Sequence, residues 1–226
     1  MAATKPPRRP ARRPAKPAAG RLQVLEVEEK LAATHAALVC AFHQMLDLKD
    51  LDTGCHSTRL AEWAVRVAEE LGMEESLFQA VEISALLHDI GKVGVPDAIL
   101  QKPGPLTDDE FAVLKRHSEY GWAILRLIPG FAAVSHFVLH HHERMDGRGY
   151  PAGLRGEEIP MGARVICVID AFDAMVSDRP YRRGLPVEEA LRRLQEAAGT
   201  QFDPRVVSLF SAFAGAELAA VAAAAN

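Results

Sequence analysis

Apolar residues recur at helical spacing through nearly the whole chain, and this periodicity constrains the fold more than any other feature. In the first such segment Leu25, Leu31, Leu38 and Phe42 recur at intervals of about one or two helical turns. This spacing predicts an amphipathic helix over residues 22–48. The sequence has no convincing run of the alternating apolar and polar residues that are typical of strands. We therefore expect an all-α protein.

Glycines, prolines and one capping sequence, Thr107-Asp108-Asp109-Glu110, separate the later helices. Residues 93–105 and 146–153 hold too many turn formers for regular structure and are predicted to be loops. The chain thus predicts a single domain of about seven to eight helices over residues 22–226. It comprises the first helix, a core at 49–202 that carries the motifs described below, and a C-terminal helix at 203–226. The helices between are expected at about 60–71, 75–88, 107–128, 132–143, 161–176 and 187–198.

The N-terminal segment differs in composition from the rest. Residues 1–21 hold seven of the 26 basic residues and none of the 30 acidic ones, and they are rich in Pro and Ala. We expect a disordered basic tail, either a solvated leader or a weak contact for nucleic acid, anionic lipid or a protein. The remaining body is acidic, so an anionic substrate requires a local group of Arg and Lys or bound metal.

Cysteine usage and hydropathy bear on the compartment. Cys40, Cys55 and Cys167 are an odd number without CxxC spacing, which favours a reducing cytosol over a disulfide framework. No stretch approaches the roughly 18 apolar residues that cross a bilayer. The basic N-terminus has no apolar segment typical of a secretory signal. These features predict a cytoplasmic protein that does not insert into a membrane.

Residues of metal-ligand type stand near the ends of several predicted helices. The adjacent His88 and Asp89 offer a nitrogen and a carboxylate oxygen, a combination that suits a divalent transition metal. For any one His, a buried ring satisfied by a neighbour is the commoner arrangement. Burying a carboxylate such as Asp170 without a partner costs several kcal/mol, however, which favours a facing charge. Together with further candidates the pattern predicts a metal site, the additional residues being His56, His117 and the run His140-His141-His142.

Two segments resemble a known family. The sequences His-Asp-Ile-Gly-Lys at 88–92 and His-His-Glu-Arg-Met-Asp-Gly-Arg-Gly-Tyr-Pro at 141–151 are similar to the HD-GYP subgroup of the HD phosphohydrolases. The resemblance covers about residues 46–202 and includes segments 102–107 and 178–182. It implies an all-helical domain with a di- or trinuclear iron or manganese centre. It further implies a phosphodiesterase that hydrolyses cyclic di-GMP to pGpG or GMP with a metal-bridged hydroxide as nucleophile.

The matching motif positions also imply the metal ligands. Asp89 would bridge two metal ions, and His140 is a neighbour of the site rather than a ligand. Asp52 stands four residues before His56 and is a candidate ligand for a third metal ion. A helix-capping role for Asp52 is equally open. The seven ligands implied by motif position are His56, His88, Asp89, His117, His141, His142 and Asp170.

The resemblance also implies which residues contact the substrate. Lys92 matches a family lysine near the scissile phosphate, where its ammonium offsets developing negative charge. An exposed lysine after a helix is the alternative for Lys92. Residues 146–153, here named the GYP loop, would shape the pocket mouth or a partner surface. The predicted substrate contacts besides Lys92 are Asp50, Tyr150, Asp173, Arg179 and Arg182.

Other interpretations stay open at this point. The same chemistry on another cyclic dinucleotide or a nucleotide would use the same ligands. A non-catalytic module could instead bind a protein partner through the GYP loop. The first helix is compatible with a homodimer and equally with packing on its own body.

Overall fold

The computed structural model describes residues 18–49, 56–178 and 183–224. Within these ranges the chain forms ten α-helices and no strand, which confirms the predicted all-α class. Three short 3-10 helices, Glu75–Leu77, Ile90–Gly94 and Gly156–Glu158, connect some of them. The helices are α1 Ala18–Lys49, α2 His56–Glu70, α3 Phe78–Leu87, α4 Asp97–Leu100, α5 Asp108–Lys115, α6 His117–Leu125, α7 Ala132–His140, α8 Met161–Val176, α9 Val187–Glu196 and α10 Pro204–Ala224.

The described helices exceed the predicted seven to eight for two reasons. The predicted fourth helix is divided into α5 and α6 at Arg116, whose ψ of -9° turns the chain away from α-helical geometry. The predicted loop at 93–105 contains the single-turn α4. The capping box that starts α5 is confirmed, with Thr107 and Glu110 each bonding the other's backbone N–H.

The first helix begins earlier than expected. It includes Ala18 to Arg21, which the composition had assigned to the disordered tail. Ala18 and Ala19 are strong helix formers directly after Pro17, and helix propensity therefore overrides the basic character of the segment. Residues 1–17 lie outside the described part of the chain.

One apolar core joins α2, α3, α8, α9 and α10. At its centre Trp63, Phe172 and Phe210 meet edge to face, with ring centroids 4.9 to 5.7 Å apart. Phe172 and Phe210 are completely buried. Each such side chain stabilises the fold by about 1.5–3 kcal/mol through burial. This core fixes α8, the helix that carries Asp170.

A second core joins α3, α6, α7 and the C-terminal part of α1. Leu87 at the end of α3, Ile90, Leu125 and Val138 are fully buried in it. The core therefore encloses the chain directly beside the His88-Asp89 pair. Apolar packing thus holds the ends of α3 and α7 together independently of any contact between the histidines.

The chain divides into two compact units, Met1–Leu38 and Val39–Asn226. The described residues of the first unit belong to α1. Every residue of the candidate site described below belongs to the second unit. Among the described helices none combines the length and the apolar character needed to cross a membrane.

Candidate metal centre

Metal-ligand side chains converge because four helices place them at one point. His88 directly follows α3, His117 is the first residue of α6, and His141 directly follows α7. Asp170 lies within α8. Helix ends supply short, rigid anchors, so rings separated widely in sequence are held in fixed directions.

The imidazoles of His88, His117 and His141 are oriented in the same way. In each ring Nδ1 donates a hydrogen bond to the backbone carbonyl three residues earlier, at 2.8, 2.8 and 2.6 Å respectively. These bonds place a proton on Nδ1 and direct Nε2 into the site. The three rings therefore present a nitrogen of metal-ligand type through the same local hydrogen bond.

Several Nε2 atoms lie unusually close to each other. Neutral imidazole rings do not favour such short distances unless they share a partner. His117 Nε2 lies 3.4 Å from His141 Nε2 and 3.2 Å from His142 Nε2. Burial lowers the pKa of His117, lowers that of His141 well below its ordinary value, and lowers that of His142 to about 3. With the proton on Nδ1 in both His117 and His141, the facing Nε2 lone pairs repel at this distance, and a shared cation removes the repulsion.

Two carboxylates lie against these rings. Asp89 Oδ2 lies 3.3 Å from His88 Nε2, and Asp89 Oδ1 lies 3.5 Å from His117 Nε2. Asp170 Oδ1 lies 3.6 Å from His88 Nε2. Lys92 Nζ contacts Asp89 Oδ2 at 2.9 Å. The two oxygens of Asp89 thus face two different histidines, the arrangement that a bridging carboxylate requires.

The pKa values follow from this crowding. Burial alone would lower the pKa of His88, but the carboxylates of Asp89 and Asp170 raise it well above its ordinary value. Burial alone would raise the pKa of Asp89, but Lys92, followed by His88 and His117, lowers it well below its usual range. The neighbouring positive groups therefore keep the Asp89 carboxylate charged although it is largely buried.

These residues fit a divalent metal centre. His117, His141 and His142 each present a ligand atom within 4.8 Å of the others. His88 Nε2 is buried and has no hydrogen-bond partner in the described part of the chain. Mixed imidazole and carboxylate ligands suit iron, manganese and similar transition metals. The structure thus brings His88, Asp89, His117, His141, His142 and Asp170 close together, and their role as metal ligands stays a prediction.

The GYP loop lies against the centre. The ring of Tyr150 packs on that of His142 with centroids 4.8 Å apart. Gly149 permits the approach, because a Cβ there would come within 2.6 Å of the His142 carbonyl oxygen. Tyr150 therefore lies beside His142 at the edge of the candidate site, and its predicted contact with substrate stays a prediction.

Glu143 is a structural residue that the sequence reasoning missed. Its buried carboxylate accepts hydrogen bonds from the backbone N–H groups of Ala152, Gly153 and Leu154. His140 Nδ1 lies 3.6 Å from Glu143 Oε1, beside the site and not in it, which agrees with its predicted place. The available signal was an acidic residue directly after a pair of ligand histidines.

Asp173 does not stand where the prediction placed it. Its side chain is completely buried, and one carboxylate oxygen accepts hydrogen bonds from the Arg59 guanidinium. The other oxygen accepts a bond of 2.9 Å from the Ser177 hydroxyl. The geometry gives Asp173 a role in packing α8 against α2, contrary to the predicted substrate contact. Sequence spacing alone gave no sign of Arg59 as its partner.

Several predicted site residues cannot be located in the same way. Asp50, Asp52, Arg179 and Arg182 lie outside the described residues. His56 is the first residue of α2, near a helix start as predicted, but its side chain is outside what the structure describes. The third-metal ligand and the arginine contacts therefore stay predictions.

Comparison with known proteins identifies the class. A family model described as HD domain matches residues 40–206, and the chain belongs to this family. A cyclic di-GMP phosphodiesterase of Thermotoga maritima is 42% identical over 170 residues, which cover 74% of this chain and 46% of that protein. The cyclic di-GMP phosphodiesterase response regulator RpfG of Xanthomonas campestris is 42% identical over 187 residues, covering 80% and 48%. These relatives confirm the resemblance that the two motifs indicated.

Other relatives differ in their named substrate. The 3'3'-cGAMP-specific phosphodiesterase 3 of Vibrio cholerae is 38% identical over 167 residues, covering 74% of this chain and 36% of that protein. Among solved structures, the PgpH HD domain of L. monocytogenes in complex with cyclic-di-AMP has a TM-score of 0.58 at 19% identity, covering 80% and 96%. That likeness shows a shared fold. The chain spans about half the length, or less, of the curated relatives it matches.

Proposed function

We propose that this chain carries a metal-dependent phosphodiesterase that hydrolyses cyclic di-GMP to pGpG, to GMP or to both. The convergence of the imidazole nitrogens of His117, His141 and His142 beside the carboxylate of Asp89 carries the proposal. The names of the relatives at 42% identity supply the substrate class.

The ligand set is assigned two or three divalent metal ions, with iron or manganese preferred for the mixed nitrogen and oxygen ligands. Bound metal ions activate water and neutralise charge on a phosphodiester. His56 is proposed as a further ligand and Asp52 as the ligand of a third ion. The remaining assigned ligands are His88, Asp89, His117, His141, His142 and Asp170.

The chain's own groups contribute charge and position. Lys92 keeps a positive charge beside Asp89, where an ammonium stabilises negative charge that develops on phosphate oxygens. Tyr150 covers one face of His142 and restricts solvent there. Asp50, Arg179 and Arg182 are proposed substrate contacts, the arginines because a guanidinium fork binds phosphate oxygens in pairs.

A second candidate keeps the site and changes the dinucleotide. The relative named as specific for 3'3'-cGAMP favours it, because that protein shares 38% of aligned residues with this chain. Purified protein supplied anaerobically with Fe²⁺ or Mn²⁺ should be assayed on cyclic di-GMP, 3'3'-cGAMP and cyclic di-AMP, with chromatographic analysis of products. The preferred substrate separates the two candidates.

The metal dependence has its own test. His117→Ala should lose bound metal and hydrolysis together, whereas His136→Ala, an exposed histidine on α7, should keep both. Metal content is measured by elemental analysis on protein whose fold is checked by circular dichroism. Full hydrolysis by folded, metal-free His117→Ala would overturn the proposal.

The proposal also includes a cytoplasmic location, a protein partner at the GYP loop and a homodimer through α1. For the homodimer, α1 offers the exposed apolar side chains Val24, Val27 and Leu31. If no cyclic dinucleotide is hydrolysed while metal is bound, a non-catalytic module that uses the GYP loop becomes the better interpretation.

A further inference from the structure

A cavity of about 310 Å³ opens beside the metal centre, between α5 and the GYP loop. It shares His142 and Tyr150 with the site. Its size is at the lower end of the roughly 300–1,000 Å³ that small-molecule sites occupy. The cavity therefore suits one part of a dinucleotide rather than the whole. Its lining residues are Phe111, Lys115, His142, Arg144, Arg148, Gly149, Tyr150, Cys167 and Gln201.

Two aromatic rings and a cation face this cavity. Phe111 projects from α5 and remains 45% exposed, which is unusual for a large apolar ring. Lys115 Nζ lies 5.2 Å from the centroid of Phe111 and 5.8 Å from that of Tyr150. Both rings thus lie close to one positive charge. Aromatic faces bind nucleobases by stacking, and an ammonium binds phosphate.

The two arginines of the cavity have different roles. The Arg144 guanidinium is held by both carboxylate oxygens of Asp146 and by Gln201. Arg148 has its backbone N–H fixed to Asp146 Oδ1 at 3.0 Å, while its side chain is exposed at the cavity. Arg144 therefore shapes the wall, and Arg148 presents a guanidinium from a fixed backbone position.

We propose that this cavity is a base-binding subsite, which receives one guanine of a cyclic dinucleotide whose phosphate reaches the metal centre. Phe111 and Tyr150 provide stacking surfaces, and Arg148 donates to O6 and N7 of guanine, a pair of acceptors that fits a guanidinium fork. Lys115 faces the adjacent phosphate. The inference rests on the proposed function and adds the residues that select the base.

The stacking role is tested with steady-state kinetics on cyclic di-GMP. Phe111→Ala should lower kcat/KM by about 10- to 100-fold, the range expected for loss of one base stack, while Phe111→Trp should restore most of it. Leu127→Ala, an exposed apolar residue after α6, is the matched control and should match wild type. Equal activity of Phe111→Ala and wild type overturns the subsite.

The proposed contact between Arg148 and the base is tested by combining a change in the protein with a change in the substrate. Wild type should lose about tenfold in kcat/KM when 7-deazaguanine, which lacks the N7 acceptor, replaces guanine. Arg148→Ala should have a lowered kcat/KM with the normal substrate, and the 7-deazaguanine substrate should lower it no further. Arg126→Ala, an exposed arginine directly after α6, should retain the full wild-type response.

Two results overturn the inference in distinguishable ways. If the losses from Arg148→Ala and from 7-deazaguanine multiply, Arg148 does not bind N7, and the subsite alone fails. If metal-loaded wild type hydrolyses no cyclic dinucleotide, the proposed function fails and the subsite with it. Unchanged metal content in both variants shows that the kinetic losses arise from substrate binding.

Discussion

The buried carboxylate of Glu143 accepts a hydrogen bond of 2.7 Å from the backbone N–H of Ala152. The N–H groups of Gly153 and Leu154 donate to the same carboxylate at 3.1 Å each. A carboxylate in the chain segment that carries His141 and His142 thus holds the far end of the GYP loop. The positions of Tyr150 and of the metal centre are therefore linked through one side chain.

Glu143→Gln should weaken this link. The amide NH₂ of the variant, at the buried position of Glu143, must face a backbone N–H, so at least one of the three hydrogen bonds is lost and a donor faces a donor, at a cost of about 1–3 kcal/mol. Denaturant unfolding measures the loss of stability, and hydrogen exchange should show faster exchange at 150–154. Glu157→Gln, an exposed neighbour in the chain, should change neither. Unaltered exchange in the loop of Glu143→Gln would contradict its anchoring role.

Gly91→Ala should disrupt the metal centre without removing a ligand. A Cβ at Gly91 would lie 1.8 Å from the carbonyl oxygen of His117 and 2.5 Å from the backbone nitrogen of Gly121. The start of α6 must move, and His117 moves with it, so metal content and stability should both fall.

Gly215→Ala is the matched control for this substitution. Gly215 lies within α10 and has room for a methyl group, its nearest neighbour being Leu191 Cδ1 at 3.6 Å. The variant should keep its metal and gain up to about 1 kcal/mol of stability from helix propensity. Metal content is compared by elemental analysis and stability by thermal unfolding. A Gly91→Ala protein with normal metal content would show that α6 can shift without displacing His117.

Lys92→Met should separate metal binding from turnover. The ammonium contacts Asp89 at 2.9 Å but is not itself a ligand. Metal should remain bound, while kcat should fall by about 10²–10³-fold, the loss typical of one electrostatic contact to developing charge. Lys102→Met removes a lysine that pairs with Glu110 instead and should leave kcat unchanged. Loss of metal from folded Lys92→Met would assign Lys92 to the stability of the centre.

Asp203→Asn should destabilise the protein in a pH-dependent way. Asp203 and Arg164 are both buried and form an ion pair of 2.7 Å. Burial alone would raise the pKa of Asp203, but the Arg205 N–H and the Arg164 guanidinium lower it. A lowered carboxyl pKa contributes stability above the unfolded value of about 3.9, and this stability is lost as the pH falls through the folded value.

Removal of one partner of a buried pair costs about 3–5 kcal/mol, so Asp203→Asn should lose that amount at pH 7. The difference from wild type should shrink as the pH falls below about 3.9, where the unfolded carboxyl of Asp203 binds a proton first, and should level off only below the lowered folded pKa, where both states are protonated. Denaturant unfolding across this range provides the measurement. Glu189→Gln, which removes an exposed pairing with Arg192, should have a much smaller effect. A constant difference at all pH values would contradict the role of the charge.

Local features of the sequence predicted the helices well. The Thr107 and Glu110 capping box was identified from spacing, because its hydrogen bonds join residues three apart. The break at Arg116 was missed, since it depends on how α6 packs beside the chain at Ile90–Gly94, where Gly91 meets His117. Apolar periodicity carries no information about such a contact between distant segments.

Two residues of α8 show the same contrast between local sequence signals and contacts made by distant segments. Asp170 and Asp173 are three residues apart on one helix, and the sequence treated both as site residues. In the structure Asp170 faces His88, whereas Asp173 is bound by Arg59 of α2. The chemistry of a carboxylate is the same in both places, but its role depends on which charge the fold brings to it.

The sequence by itself determined the helical class, the types of ligand and the motifs that place the chain among HD domains. Tertiary structure decided that His117 lies 3.4 Å from His141 across 24 residues of chain and that Glu143 anchors the GYP loop. It also decided that Phe111 of α5 lines the same cavity as Arg148. Helix periodicity and capping arise from neighbours a few residues apart, whereas these contacts depend on how whole helices pack, which local spacing does not encode.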